Sequence, residues 1–233
     1  MNPIRRIAKN ISSHSREERA KVFRSCFNIT AQTKILDLGS EDGSNIANVL
    51  CGTDYDPQNI YIADIDKGLI QEGSDRYGFI PVLIDENENQ LRYPNKYFDI
   101  VYCSSVIEHV TIPKSQVWTL TSGTSFKQRA LLRQRRFATE IRRLGKRYFV
   151  QTPYKYFPIE SHTWLPLVGF LPRVALIPVL KITNLVWIKK TSPDWHLLNK
   201  KQMWLLFPDA NEIVTDKLFG LVKSIMVIRN SET

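Results

Sequence analysis

Short apolar runs stopped by polar or turn-forming residues recur at positions 34–38, 60–64, 79–84, 98–104 and Lys146–Gln151, and each predicts a β-strand. Between them the apolar residues switch to helical spacing. That period predicts helices over 44–51, over 66–76, from about Val106 onward, and over Phe126–Leu144, where Phe126, Ala130, Phe137 and Ile141 mark a buried stripe. Two helices precede the first strand: residues 1–12, basic with Ile4, Ile7 and Ile11 at helical spacing, and Arg16–Cys26. Asn199–Phe207 reads as another helix, and Glu212–Lys217 with Val222–Ile228 as two closing strands. Strands alternating with helices predict an α/β domain on a largely parallel sheet.

The first strand runs into a glycine turn, Asp37-Leu-Gly-Ser-Glu-Asp-Gly43, and then a helix. In doubly wound α/β folds that turn is where a nucleotide-like cofactor docks. Gly39 and Gly43 supply backbone that can approach a ligand closely. A pyrophosphate would meet Glu41 and Asp42 there, and like charges about 5 Å apart repel by roughly 3 kcal/mol at an effective dielectric of about 20. The turn therefore favours a cationic adenosyl compound without phosphate.

Four motifs in order, Asp-Leu-Gly-x-x-x-Gly from Asp37, Ala-Asp-Ile-Asp ending at Asp66, Leu-Ile-Asp-Glu-Asn around Asp85, and Tyr-Phe-Asp-Ile-Val followed by Ile-Glu-His-Val, resemble the class I S-adenosylmethionine-dependent methyltransferases. The likeness is to the branch with quinone, sterol and sugar methyltransferases and covers about residues 30 to 153. It implies an α/β, Rossmann-like, seven-stranded doubly wound sheet with an antiparallel last strand and helices on both faces. It also implies S-adenosyl-L-methionine as cofactor. Asp37, Gly39, Ser40, Glu41 and Gly43 would hold the methionine part. Asp64 would accept from the ribose hydroxyls, as an acceptor-only carboxylate suits a diol. Ile65 would pack on the adenine, Asp85 and Glu86 would face its amino group, and Cys103 or Ser104 would sit beside the sulfonium. Glu41 stands where many members of the family have a third glycine. Asp42 suits a helix start, Asp66 a helix cap, and Asp99 a structural place away from the cofactor.

Composition adds limits. The chain has 233 residues, 43% hydrophobic and 24% charged, which is ordinary for a globular protein. Its three cysteines, Cys26, Cys51 and Cys103, form no Cys-x-x-Cys pair, which points to reduced thiols and a cytoplasmic setting. The spacing suggests no metal site, and the N-terminus shows no secretory signal. We expect a helical cap over residues 1–30 and the methyltransferase domain over 31–233, with 152–198 as a substrate-side insertion or lid.

The aromatic and proline-rich segment Gln151–Pro166 follows the fifth strand, where open α/β sheets place ligands. After it, residues 165–188 are strongly apolar, yet Arg173, Lys181, Pro166, Pro172 and Pro178 interrupt any membrane span. A lid, a dimer surface, or peripheral contact with the inner face of a membrane are the remaining readings. The net charge is +9, with a dense group at Arg129, Arg133, Arg135, Arg136, Arg142, Arg143, Lys146 and Arg147. That group is either a solvated face or a site for an anionic substrate, lipid headgroup or RNA. His109 and His162 are the candidate general bases, with Glu160 placed to orient a neighbour. The expected reaction is methyl transfer to a hydroxyl of a small-molecule, glycan or lipid-linked acceptor. An RNA methyltransferase and a non-catalytic cofactor-binding subunit are the alternatives.

Overall fold

The computed structural model describes residues 3–85 and 90–231. A seven-stranded sheet runs β3-β2-β1-β4-β5-β7-β6, with β1 Ile35–Leu38, β2 Ile60–Asp64, β3 Ile80–Leu83, β4 Phe98–Ser104, β5 Gly145–Pro153, β6 Glu212–Leu218 and β7 Leu221–Arg229. The first five strands pair in parallel, whereas β7 runs antiparallel to both β5 and β6. The order reverses between β1 and β4, which opens a crevice at their carboxyl ends.

Strand alternation divides the core into two layers. Leu36, Leu38, Val101, Cys103, Tyr148, Val150, Ile225 and Val227 pack with helices α4 (Gly123–Leu144) and α6 (Lys200–Leu206) through Ala138, Ile141, Leu144, Met203 and Leu206. Ile35, Ile62, Ile100, Tyr102, Phe149, Met226 and Ile228 pack on the other face with α1 (Pro3–Cys26), α2 (Ser44–Leu50) and α3 (Lys67–Tyr77) through Ala20, Phe23, Ile46, Val49 and Ile70. Helices therefore cover both faces, as the sequence led us to expect.

Most predicted bounds hold to within three residues, with these departures. The two N-terminal helices are one, α1, which continues through Ser12-Ser-His-Ser15. Local side-chain competition with the backbone is outweighed there by packing of Ala20 and Phe23 at 0% exposure. No long helix starts at Val106; a single 3₁₀ turn spans Ile107–His109, and Pro113, which lacks an N–H, follows. The third strand is trimmed to Ile80–Leu83, and Phe79 instead packs under Tyr55 and Tyr77.

The apolar stretch 165–188 forms a 3₁₀ turn, Val168–Phe170, and helix α5, Arg173–Val186, with Pro178 inside it. Leu176, Ile177 and Leu180 are buried, whereas Val174, Ile182, Leu185 and Val186 lie along an exposed stripe. Arg173 fastens α5 to the rest of the chain. Its guanidinium donates to the carbonyls of Leu120, Val117 and Pro193 and lies 3.8 Å over the Phe126 ring. Among the described residues no helix is long and apolar enough to cross a membrane.

Candidate functional site

A cleft of about 560 Å³ opens at the switch point, lined by Asp37, Gly39, Ser40 and Glu41 from the β1 turn, Asn45 and Asn48 from α2, Ser104 and Ser105 after β4, and Arg16, Glu17 and Arg19 from α1. Asp37 sits on the same strand face as Ile35, and so on the α1 side. It is only 2% exposed, and its Oδ2 has no hydrogen-bond partner. Burial pushes its pKa well up, and the negative charges of Asp64 and Glu41 push it further. Ser40 Oγ is likewise buried without a partner. Two orphaned polar atoms in a cleft mark a place where a ligand supplies the missing partners.

The turn is shaped by backbone constraints. Gly39 has φ +81°, and a Cβ added there would lie 2.4 Å from Val106 Cγ2. Glu41 adopts φ 52°, in the left-handed region that favours glycine. The strained path is held because the Glu41 N–H donates to Asp64 Oδ2 at 3.0 Å. Asp64 Oδ1 accepts from the Asp66 N–H at 3.1 Å, so each oxygen retains acceptor capacity toward the cleft. Asp42 Oδ1 accepts from the Ser44 N–H at 3.1 Å and its Oδ2 pairs with Arg76 at 3.3 Å, and Asp66 caps α3; both have structural partners. Asp99 binds Lys34 N–H and Lys146 at the opposite end of the sheet.

Other expected cofactor contacts divide. Ile65 is 40% exposed beyond β2 and Asp85 is exposed beyond β3, while Glu86 lies outside the described residues. Ser104 lines the cleft, but Cys103 does not. Its neighbours on β4 alternate faces, so Cys103 is fully buried in the layer under α4 and α6. Arg16 and Arg19 were not expected in the cleft. Nothing in the local sequence marks them, because their helix lies some 20 residues before the turn and reaches it only through packing.

Beyond Ser104 and Ser105, whose hydroxyls both donate to Gln151 Oε1, a second cluster assembles around the next residue of β5. Thr152 Oγ1 donates to Glu108 Oε2 at 3.0 Å; Glu108 is fully buried, and its Oε1 has no hydrogen-bond partner. His162 Nε2 lies 3.9 Å from that Oε1, and His162 Nδ1 contacts Glu160 Oε1 at 2.5 Å. His109 Nδ1 lies 3.3 Å from Asp194 Oδ1, and the two imidazoles meet edge to face at 4.6 Å. Trp195 stacks on His162 at 5.5 Å, with its Nε1 buried and unpartnered.

The cluster is electrostatically one unit. Burial draws the His109 pKa down, but Asp194, Glu108 and Glu160 outweigh it and hold it above the ordinary value. Burial raises the carboxyls of Glu160 and Asp194, yet their histidine partners, His162 and His109, bring both below the usual range. The two candidate bases, His109 and His162, are thus brought together, and Glu160 orients His162. Glu108 stood beside His109 in the Ile-Glu-His-Val motif and could have been read as its partner. Asp194 and Trp195 had no such signal, being more than 80 residues away in sequence.

The basic group divides between α4 and the start of β5, and part of it is taken up in contacts. Arg142 pairs with Asp209, Arg143 with Glu140, and Lys146 with Asp99. Arg147 lies 5.7 Å over the Phe27 ring, while Arg129, Arg135 and Arg136 are exposed.

The family model described as "Methyltransferase domain" matches residues 36–121, which run from β1 past the Ile107–His109 turn. No curated protein matches the chain. Among solved structures, magnesium protoporphyrin IX methyltransferase from Synechocystis, crystallised with bound SAH, aligns with a TM-score of 0.54 at 12% identity, covering 98% of this chain and 88% of that one. A chain in the complex of a methyltransferase activator with a methyltransferase from Haloferax volcanii gives 0.56 at 11% identity, covering 95% and 92%. An S-adenosylmethionine-dependent methyltransferase from Clostridium acetobutylicum gives 0.52 at 10% identity, covering 91% and 89%. Identities this low speak for the fold. Over residues 36–121, which carry the first four strands with their turns, the chain is similar to a methyltransferase domain.

Proposed function

We propose that the protein transfers the methyl group of S-adenosyl-L-methionine to a hydroxyl of a small, glycan or lipid-linked acceptor held at the carboxyl ends of β4 and β5. The observation that carries this reading is the pair of carboxylate-braced histidines, His109 with Asp194 and His162 with Glu160, one residue along β5 from the wall of the cleft. The residues of the cleft fit the cofactor: Asp37 Oδ2 and Ser40 Oγ are buried without partners, which suits an ammonium group and its neighbours. Arg16 and Arg19 of α1, which also line the cleft, suit a carboxylate. Asp64 has acceptor capacity for ribose hydroxyls, and Ile65 offers an exposed apolar surface beside it.

When bound, S-adenosylmethionine supplies an already activated methyl group. What this chain adds is alignment, exclusion of water, and management of the acceptor's proton. A histidine whose far nitrogen is held by a carboxylate has a defined tautomer and presents one nitrogen to the acceptor. General base help from such a group is worth about 10² to 10⁴ in rate.

The exposed apolar stripe of α5 supports a lipid-linked acceptor, since it adjoins the segment that carries His162 through Trp187, whose Nε1 donates to the Thr163 carbonyl. The ion pairs of Arg142, Arg143 and Lys146 leave a smaller basic face for RNA than the sequence suggested. An extract assay with radiolabelled methyl donor checks the assignment. Label should enter lipid or glycan fractions; label confined to RNA would instead select the basic face of α4, and no transfer to any fraction would favour a cofactor-binding subunit.

A further inference from the structure

The spacing of histidines and acids along the chain suggested no metal, but the folded cluster does. We propose that Glu108, His109 and His162 bind one first-row divalent transition-metal ion. One donor atom from each of the three lies within 4.8 Å of the others. Donor atoms bonded to one tetrahedral ion at about 2.1 Å stand about 3.4 Å apart, so closure by about 1.4 Å or less completes the set.

Three further observations point the same way. First, the histidines are arranged as metal ligands are. Each has its Nδ1 against a carboxylate, Glu160 at 2.5 Å for His162 and Asp194 at 3.3 Å for His109, which leaves both Nε2 atoms as the available donors. Second, Glu108 is fully buried with Oε1 unpartnered, while Thr152 holds only Oε2. An unsatisfied buried carboxylate oxygen is costly, and a cation removes that cost. Third, protons on the imidazoles do not do this work, because 3.9 Å between His162 Nε2 and Glu108 Oε1 is too long for a hydrogen bond.

The donor set indicates the class of ion. Two imidazoles and one carboxylate suit Mn²⁺, Fe²⁺, Co²⁺ or Zn²⁺, whereas Mg²⁺ and Ca²⁺ favour sites made of oxygen alone. Three protein ligands leave coordination positions open. The catalytic role of the ion rests on the methyltransferase reading above, though its binding does not. A hydroxyl bound at an open position would lose its proton to solvent more readily. Its oxygen would then form the C–O bond as the methyl–sulfur bond breaks, with the electron pair leaving on sulfur. In that state His109 and His162 serve as ligands, and the ion replaces them as the group that acidifies the hydroxyl.

The test uses the full chain, stripped with chelator, and Zn²⁺ or Co²⁺ alone as probe, with no cofactor present. We expect one Zn²⁺ per chain by calorimetry and visible d–d absorption with Co²⁺. Glu160→Gln and Asp194→Asn, which loosen the bracing carboxylates, should each weaken binding by about 10- to 100-fold. Glu108→Gln keeps the shape and the Thr152 contact, and His162→Asn removes a ligand nitrogen; both should weaken it more, with circular dichroism confirming the fold. Lack of stoichiometric binding to the wild-type chain would overturn the proposal. So would affinity unchanged in both Glu108→Gln and His162→Asn, or binding abolished by Cys51→Ser, which would assign the ion to an exposed thiol. Failure of the methyltransferase reading shows separately, as no heat with S-adenosylhomocysteine.

Discussion

Replacing Asp37 by Asn should make the protein more stable without added cofactor and its binding of the cofactor less tight. The carboxyl is buried, has an oxygen without a hydrogen-bond partner, and faces the charges of Asp64 and Glu41, which together raise its pKa well above 3.8. The folded chain therefore holds a proton that the unfolded chain has released. The stability this proton brings is complete below the unfolded pKa near 3.8 and is lost as pH rises through the folded value. Well above pH 3.8 the acid is either held protonated against the solvent pH or ionised in a buried site, and Asn avoids both costs; a buried unsatisfied polar group costs about 1 to 3 kcal/mol. Allowing for the polarity Asn retains, we expect a gain of about 1 kcal/mol, or about 2 to 4 °C in Tm for a chain of this size.

Cofactor affinity should move the other way. A charge-assisted hydrogen bond is worth about 1.5 to 3 kcal/mol, so Asp37→Asn should raise the Kd for S-adenosylhomocysteine by roughly 10- to 150-fold. Wild-type affinity should also rise with pH up to the folded pKa of Asp37, with proton release on binding visible as a dependence of the calorimetric heat on buffer ionisation enthalpy. Differential scanning fluorimetry and calorimetry at several pH values measure both effects. An Asn variant that is less stable and binds as tightly as wild type would refute the role of Asp37 and its reading as a buried, uncompensated acid.

Glu41→Gly should relieve a left-handed φ of 52° and remove a like charge near Asp37, which raises stability by about 1 kcal/mol; an unchanged or lower Tm would count against strain in this turn. Arg173→Lys loses the fork that reaches three carbonyls and the stack on Phe126, and should destabilise by about 2 to 4 kcal/mol, read as a shift in the urea midpoint. Loss of under about 0.5 kcal/mol would show that α5 is held by apolar packing alone. Wild-type chain should bind anionic vesicles through the exposed stripe of α5, and Leu185→Glu should weaken that binding several-fold with Tm unchanged; equal binding by both would remove α5 as a lipid contact.

Much of the frame was legible in the chain because it is encoded over short distances. The runs at 34–38, 60–64 and 98–104 have strand period and turn stops, and the glycines at 39 and 43 sit where the backbone takes φ of +81° and +71°. Asp37 and Asp64 could be placed at strand ends by counting. Counting could not place Cys103, because a strand residue's face depends on which neighbour shares the layer, and only the assembled sheet shows that Cys103 faces α4. Nor did helical spacing foresee the turn at Ile107–His109, where the approach of His196, whose N–H donates to the Glu108 carbonyl, takes the place of helix bonds.

The sequence by itself determined the order of strands and helices, the glycine turn, and the acids at its mouth, since dihedral preference and hydrophobic period act between near neighbours. Only the tertiary structure decided that Arg16 and Arg19 of α1 form a wall of the cleft, that Arg142 and Arg143 at the end of α4 are held in ion pairs, and that Glu108, His109, Glu160, His162 and Asp194 share one cluster. Those residues come from segments far apart in the chain, and what brings them together is burial of apolar side chains beneath them, a force that does not depend on sequence distance.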